Sequence, residues 1–310
     1  MAVKLKKDKA DVDLDALTEN DFKDIAAIYN IIQSYTKALN SQKQALSAVL
    51  SYLRHFEKNS DPRADTALAK LYCAKIQELS PPINSERAKN ILSDKEKKVF
   101  VPWADILILR KQLEIEYKLE DALFLALYMD LPAPRRVQDF CEMIYVKSEP
   151  AALADINYYV EDTRLFIFRK YKTYRTYGEQ RLQIPISLQA LLDSYIDQHK
   201  CSLGQSLFNK SETLFSRKIR NIFSVNVAKQ TSVDTIRHAF LTNFEATNPS
   251  MEDRQRMSRL MGHSLSEQLY YDKSHDTFIK KNIHTELVKS DEPIPEEHTQ
   301  EIAPLQEIVP

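Results

Sequence analysis

Only three of the 310 residues are glycine: Gly178, Gly204 and Gly262. Average usage near 7% would supply about twenty. Glycine gives the backbone access to left-handed turns and weakens helix interiors. A chain this poor in it is expected to be mainly α. No two glycines are close enough to form a GxGxxG turn or a GxxxxGK[ST] loop, which argues against nucleotide binding by a backbone phosphate cradle.

The length suits about two domains, and 43% hydrophobic with 28% charged residues places the chain among folded globular proteins. The net charge of −1 hides an uneven distribution: residues 1–160 carry −1, 161–280 carry +5 and 281–310 carry −5. Cys73, Cys141 and Cys201 are isolated and never in CxxC spacing. Neither a disulfide framework nor a thiolate metal site is expected, and an intracellular, reducing compartment fits, nucleus or cytoplasm being left open. No apolar run approaches the ~18 residues of a membrane span, so no membrane partner is expected. The opening MAVKLKKDKA has no apolar stretch behind its lysines and does not read as a secretory signal.

Four regions follow: a flexible arm at 1–14, a helical domain at 15–90, a mixed α+β domain at 95–280, and an acidic, proline-bearing tail at 281–310 expected to be disordered. In the first domain, Thr18 with Asp21 and Ser41 with Gln44 read as helix starts, and Asn59-Ser60-Asp61-Pro62 as a break. Pro81-Pro82-Ile83-Asn84 reads as a domain boundary. Further on, Ser93 with Glu96 has capping-box spacing. A helical stretch is expected over 103–129, another over 137–147, and helices over 187–199, 211–224, 233–246 and 252–261. Residues 164–171 and 181–186 alternate as strands, with Gly178 in the connection between them, which predicts a small antiparallel hairpin.

The residues that could carry chemistry lie in the second domain. Ile236-Arg237-His238-Ala239-Phe240-Leu241-Thr242 is followed by Leu260-Met261-Gly262-His263-Ser264, then by Tyr270-Tyr271. Upstream, Pro134-Arg135-Arg136-Val137-Gln138-Asp139 sets Asp139 three residues after Arg136. Lys172 sits at the lip of the hairpin, near Lys170 and Arg175. These five motifs, in this order over roughly 95–280, resemble the tyrosine recombinase (phage integrase) family. The wording around the hairpin and the VPW at 101–103 look like integrases of large eukaryotic DNA viruses and their mobile elements.

The resemblance implies a catalytic domain of tyrosine recombinase type and a site-specific recombinase or integrase acting on double-stranded DNA. It implies a homo-oligomer, dimer or tetramer, on that DNA, with the helical domain clamping the duplex and C-terminal segments docking between protomers. The chemistry is a covalent 3′-phosphotyrosyl intermediate, formed without a cofactor. Such chemistry needs a nucleophile, fixed cations on the non-bridging oxygens and an acid for the departing 5′-oxygen. Arg136 and Arg237 are assigned to the phosphate, Lys172 to the acid, His263 to a phosphate hydrogen bond and Tyr271 to the nucleophile. No set of metal-ligand spacing accompanies them.

Tyr270 is the auxiliary candidate, since adjacent helical residues point about 100° apart and only one can face the phosphate. The face of Phe240, Leu241 and Phe244 should be core, leaving Arg237 at its rim and His238 as a structural histidine beside it. Asp234 departs from the family, which has histidine there. It is expected to cap its helix and orient an arginine, with a role as base for the tyrosine proton as the alternative. Rival readings are a type IB topoisomerase-like or telomere-resolving enzyme, and a catalytically inactive DNA-binding protein on the same fold.

Overall fold

The computed structural model of the chain describes residues 19–58, 65–150, 155–273 and 276. The expected arm, the break at Asn59–Pro62 and the acidic tail fall outside them. The chain divides into two compact units, 1–89 and 90–310.

The first unit is helical: a 3₁₀ turn at Glu19–Phe22, α1 (Ile25–Tyr35), α2 (Leu39–Lys58) and α3 (Thr66–Ala88). Asp24 starts α1 by accepting the Ala27 N–H; Thr18, of the expected helix start, lies outside the described residues. Ser41 does not start α2, which begins two residues earlier. Gln42 instead turns inward, accepting from the Tyr29 hydroxyl and donating to the Thr36 carbonyl, and so fixes the α1–α2 connection. The expected boundary at Pro81-Pro82 is not one: both prolines lie inside α3. Each removes a backbone donor, but both face solvent while Leu79 and Ile83, on either side, are buried in the unit's core. That burial, worth ~1.5–3 kcal/mol per large apolar side chain, carries the helix through. Tyr72, fully buried, closes the core by donating to the Phe22 carbonyl.

In the second unit the Ser93–Glu96 capping box forms as the spacing predicts, at the start of α4 (Asp94–Val99). The stretch expected over 103–129 is two helices, α5 (Trp103–Ile115) and α6 (Leu119–Met129). The chain breaks between them at Tyr117, which adopts φ +56°. From Ala122 to Tyr128 every residue of α6 is fully buried. This is a helix hydrophobic all round, and so a central one.

The segment 137–147 is helical only over α7 (Gln138–Cys141); Ile144–Val146 is strand β1. It pairs in parallel with β2 (Tyr158–Val160), and β2–β3 (Leu165–Phe168) and β3–β4 (Gln180–Gln183) are antiparallel. The expected hairpin is therefore the edge of a four-stranded mixed sheet in the order β1-β2-β3-β4. Phe166 and Phe168 point to the main core and meet Phe140 at 6.0 and 5.9 Å; Ile167 points to the other face with Tyr158 and Val160. A one-turn helix, α8 (Tyr174–Tyr177), fills the hairpin connection and ends at Gly178, φ +69°.

Four helices start close to their expected positions and one further helix follows: α9 (Ile186–His199), α10 (Glu212–Val227), α11 (Val233–Ala246), α12 (Met251–Met261) and α13 (Leu265–Tyr271). Ser211, Ser232, Ser250 and Ser264 cap the last four, each accepting the N–H three residues on. The architecture is thus mainly α, with a helical first unit and an α+β second unit. Among the described residues no helix is long and apolar enough to cross a membrane.

Candidate functional site

The turn between α12 and α13 is where the separated motifs meet. Gly262 ends α12 in the left-handed region, φ +65°. Its carbonyl accepts from Arg136 Nη1 at 2.8 Å and from the Thr173 hydroxyl at 3.0 Å. The preceding carbonyl, of Met261, accepts from Arg237 Nη2 at 3.1 Å. Two arginines about a hundred positions apart in sequence thus donate to consecutive carbonyls. A Cβ at position 262 would lie 2.9 Å from Thr173 Oγ1 and 3.4 Å from Arg136 Nη1, so both the backbone angle and the close approach require glycine here.

Arg237 is not at the rim of the core. It is fully buried, beside the Met261 carbonyl and the ring of Tyr271, whose centroid is 5.4 Å from the guanidinium carbon. Among the described residues its Nε and Nη1 have no hydrogen-bond partner. Burial lowers its pKa from the ordinary value, yet a guanidinium stays charged at neutral pH. A buried cation with two unpaired N–H groups costs several kcal/mol, which an oxyanion at those donors would offset.

Tyr271, at the end of α13, packs against two imidazoles. His238 is 4.4 Å away at 30° and His263 is 5.3 Å away at 10°. His263 is 3% exposed, and burial, aided by Arg237 and Arg136, pushes its pKa down to about 4. Its Nδ1 lies 3.1 Å from the Ser264 carbonyl. A carbonyl can only accept, so Nδ1 carries the hydrogen and Nε2 the lone pair; Nε2 is buried without a partner among the described residues. His238 does more than pack beside the core: its Nδ1 lies 3.1 Å from the Tyr271 carbonyl. Burial lowers its pKa.

Lys172 is exposed, and the cleft it lines, of ≈ 720 Å³, is also lined by Arg136, Arg220, Asp234, Glu267 and Tyr271. Its rivals are placed differently: Lys170 pairs with Glu142, and neither Lys170 nor Arg175 lines this cleft. A larger cleft of ≈ 840 Å³ opens between α8–β4 and α12. It contains none of the expected site residues, and Arg181 and Arg256 there are paired with carboxylates.

Asp234 does not cap α11; Ser232 does, because its hydroxyl reaches the Thr235 N–H. Nor does Asp234 hold an arginine: it is exposed, and its carboxylate has no hydrogen-bond or ion-pair partner among the described residues. Sitting in the first turn of α11, it favours the helix dipole while putting negative charge on the cleft. The side chain of Tyr270 lies outside the described residues. Beyond Tyr271, Lys273 N–H donates to Thr242 Oγ1, and Asp276 accepts the Leu92 N–H. These residues dock on their own chain.

The acidic residue three positions after Arg136 pairs with its neighbour instead: Asp139 Oδ2 accepts from Arg135 Nε at 2.7 Å, both side chains buried. Arg135 was missed in the sequence, although its i,i+4 spacing to Asp139 is an ion-pair signal. Thr173, Tyr177 and Gln180 had no such signal. Tyr177 donates to the His263 carbonyl and Gln180 to that of Arg259, so the hairpin is tied to the end of α12 and the turn after it. Among the described residues no group of three or more His, Cys, Asp or Glu is placed to hold a metal ion.

No family model matches the chain, and no curated protein sequence matches it. Solved structures similar to it include a XerA recombinase, 14% identical over 88% of this chain and 84% of that one, with a TM-score of 0.42. Another is the integrase of transposon Tn1549 in complex with the transposon's right-end DNA, 14% identical over 90% of this chain and 88% of that one, with a TM-score of 0.47.

Proposed function

We propose that the chain cleaves and rejoins double-stranded DNA through a covalent 3′-phosphotyrosyl intermediate, as a recombinase or integrase acting as a homo-oligomer on its DNA. The observation that carries this reading is the buried guanidinium of Arg237. Among the described residues its Nε and Nη1 are unpartnered, and the ring of Tyr271 lies against it. A scissile phosphate there would receive donors from Arg237 and Arg136, whose planar forks suit two phosphate oxygens.

The Tyr271 oxygen attacks phosphorus as its proton passes to solvent water. The bond to the 5′-oxygen breaks, and that oxygen takes a proton from Lys172. The products are a 3′-phosphotyrosine and a free 5′-hydroxyl, one ester exchanged for another. The arginine forks stabilise the charge that builds on the non-bridging oxygens, the largest single contribution in sites of this kind. His263 contacts a phosphate oxygen through Nε2 once a second proton is bound there.

A nicked duplex that loses its downstream strand after cleavage traps the adduct. The wild type should form a covalent protein–DNA product resistant to denaturation, in EDTA as well as without it, and Tyr271→Phe should form none. Loss of the adduct in Tyr270→Phe with retention in Tyr271→Phe would move the nucleophile by one residue. Tight duplex binding without an adduct would instead support a binding-only protein. Supercoil relaxation without exchange between two sites would support a topoisomerase.

A further inference from the structure

Arg135 is 1% exposed and lines neither the cleft of Lys172 nor the larger one beside α12. Its Nε is held by Asp139, and its Nη1 donates to Gln180 and, at 3.1 Å, to the Leu260 carbonyl. Its guanidinium carbon lies 3.9 Å from the Phe168 ring and 4.9 Å from the Tyr171 ring. Phe168 ends β3, Gln180 begins β4, and Tyr171 immediately precedes Lys172. The Tyr171 hydroxyl donates to the Gly178 carbonyl, closing the tip of the same hairpin. One planar group therefore grips both strands of the lysine hairpin, the platform beneath Lys172 and the end of α12. It is also the chain neighbour of Arg136.

We infer that Arg135 is a positioning residue for the proton donor: through Tyr171, Phe168 and Gln180 it sets Lys172 at a fixed place relative to the phosphate-holding Arg136. The inference rests on the strand-transfer reading above. A lysine holds its own head group loosely, with four rotatable bonds of side-chain freedom. An exposed Lys172 with no ion pair among the described residues can deliver a proton reproducibly only if its backbone is held. A guanidinium can meet a carboxylate, an amide oxygen, a carbonyl and two ring faces at once; an ammonium cannot.

The test separates positioning of the proton donor from general loss of structure. A duplex carrying sulfur in place of the bridging 5′-oxygen needs no acid, because a thiol of ordinary pKa ~8.5 leaves as the thiolate. Lys172→Ala should cleave ordinary DNA about 100-fold more slowly and approach the wild type on the sulfur substrate. Arg135→Gln should show the same pattern, and Arg135→Lys a smaller defect with the same rescue. Gln180→Ala leaves the buried Arg135–Asp139 pair intact, and serves if the Arg135 variants fail to fold; it too should be rescued. Defects equal on the two substrates in both the folded Arg135 variants and Gln180→Ala would overturn the inference, as would full activity on ordinary DNA. A wild type that forms no adduct on either substrate would instead sink the strand-transfer reading, and this inference with it.

Discussion

The rings of Tyr271 and His263 stack, centroids 5.3 Å apart and planes 10° from parallel. The two residues are eight apart in sequence and joined by the single short helix α13. His238 also stacks with the tyrosine, centroids 4.4 Å apart, and its Nδ1 lies 3.1 Å from the Tyr271 carbonyl. The phenol is therefore held by ring and backbone on a helix only two turns long, with the buried Arg237 alongside. This arrangement ties the proposed nucleophile to the proposed phosphate donors, and several consequences can be measured.

Replacing Arg237 by methionine removes a buried, incompletely paired cation and keeps most of its volume. Such exchanges are often neutral or stabilising, by about 1–4 kcal/mol. The free Arg237→Met protein should melt no lower than the wild type, while adduct formation drops by about 10²–10³-fold. A clearly lowered melting temperature would show that the guanidinium supports the fold.

The depressed pKa of His263 gives a signed pH dependence. Between its folded value of about 4 and the ordinary 6.5, the unfolded chain binds a proton that the native chain does not. Stability should therefore rise with pH across that window by up to about 1.4 kcal/mol per unit from this residue, with nothing further gained above it. Denaturant unfolding at pH 6.5 and 4.5 should show a steeper loss for the wild type than for His263→Gln. His238, whose pKa is also lowered by burial, keeps part of the slope in the variant. Equal slopes would exclude a buried neutral His263.

Contact of His263 with phosphate through Nε2 requires a second proton, because Nδ1 already carries the first. Binding of duplex DNA near neutral pH should then take up protons, seen as a binding enthalpy that varies with the ionisation enthalpy of the buffer. His263→Gln should lose that dependence. A buffer-independent wild-type enthalpy would remove His263 from the phosphate.

At Gly262 the approach of Thr173 and Arg136 matters beyond the backbone angle. Asparagine tolerates the left-handed region better than other side chains, so a purely conformational requirement would let Gly262→Asn pass. The 2.9 Å approach to Thr173 Oγ1 predicts instead that Gly262→Asn and Gly262→Ala both cleave at least about tenfold more slowly, since small misplacements of reacting groups are costly. Near-normal cleavage by the asparagine variant would show that the turn can shift without disturbing the arginines.

Asp234 adds a negative charge to the cleft without pairing or capping. Asp234→Asn should bind duplex DNA several-fold more tightly at low salt, the gain fading as salt screens the charge, and should keep its cleavage. Loss of the adduct in this variant, with binding intact, would instead assign the carboxylate as the base that takes the tyrosine proton.

Much of this was written locally. Scarce glycine and the apolar period marked a mainly helical chain. Ser93 with Glu96 announced a capping box, and the alternation in 164–171 and 181–186 announced the hairpin. Arg136, Lys172, Arg237, His263 and Tyr271 became candidates only through the resemblance their motifs carry, whereas the other signals are local. Those local signals act over a few residues, through caps, turns and periodicity, and so are legible in one dimension.

Tertiary structure alone decided the rest, because it turned on contacts between distant segments. The strand Ile144–Val146 exists because Tyr158–Val160 lies beside it. The helix through Pro81 and Pro82 persists because Leu79 and Ile83 are buried. Arg136 meets the Gly262 carbonyl across 126 positions, and Asp139 chooses Arg135 over Arg136 because the partners of Arg135 are also remote, at Gln180 and Leu260. Arg237 is sealed in by Tyr271, a residue the sequence places 34 positions away. Which residues are candidates was a matter of sequence. Which of them are buried, paired or left with free donors depended on side chains that meet only when the chain has folded.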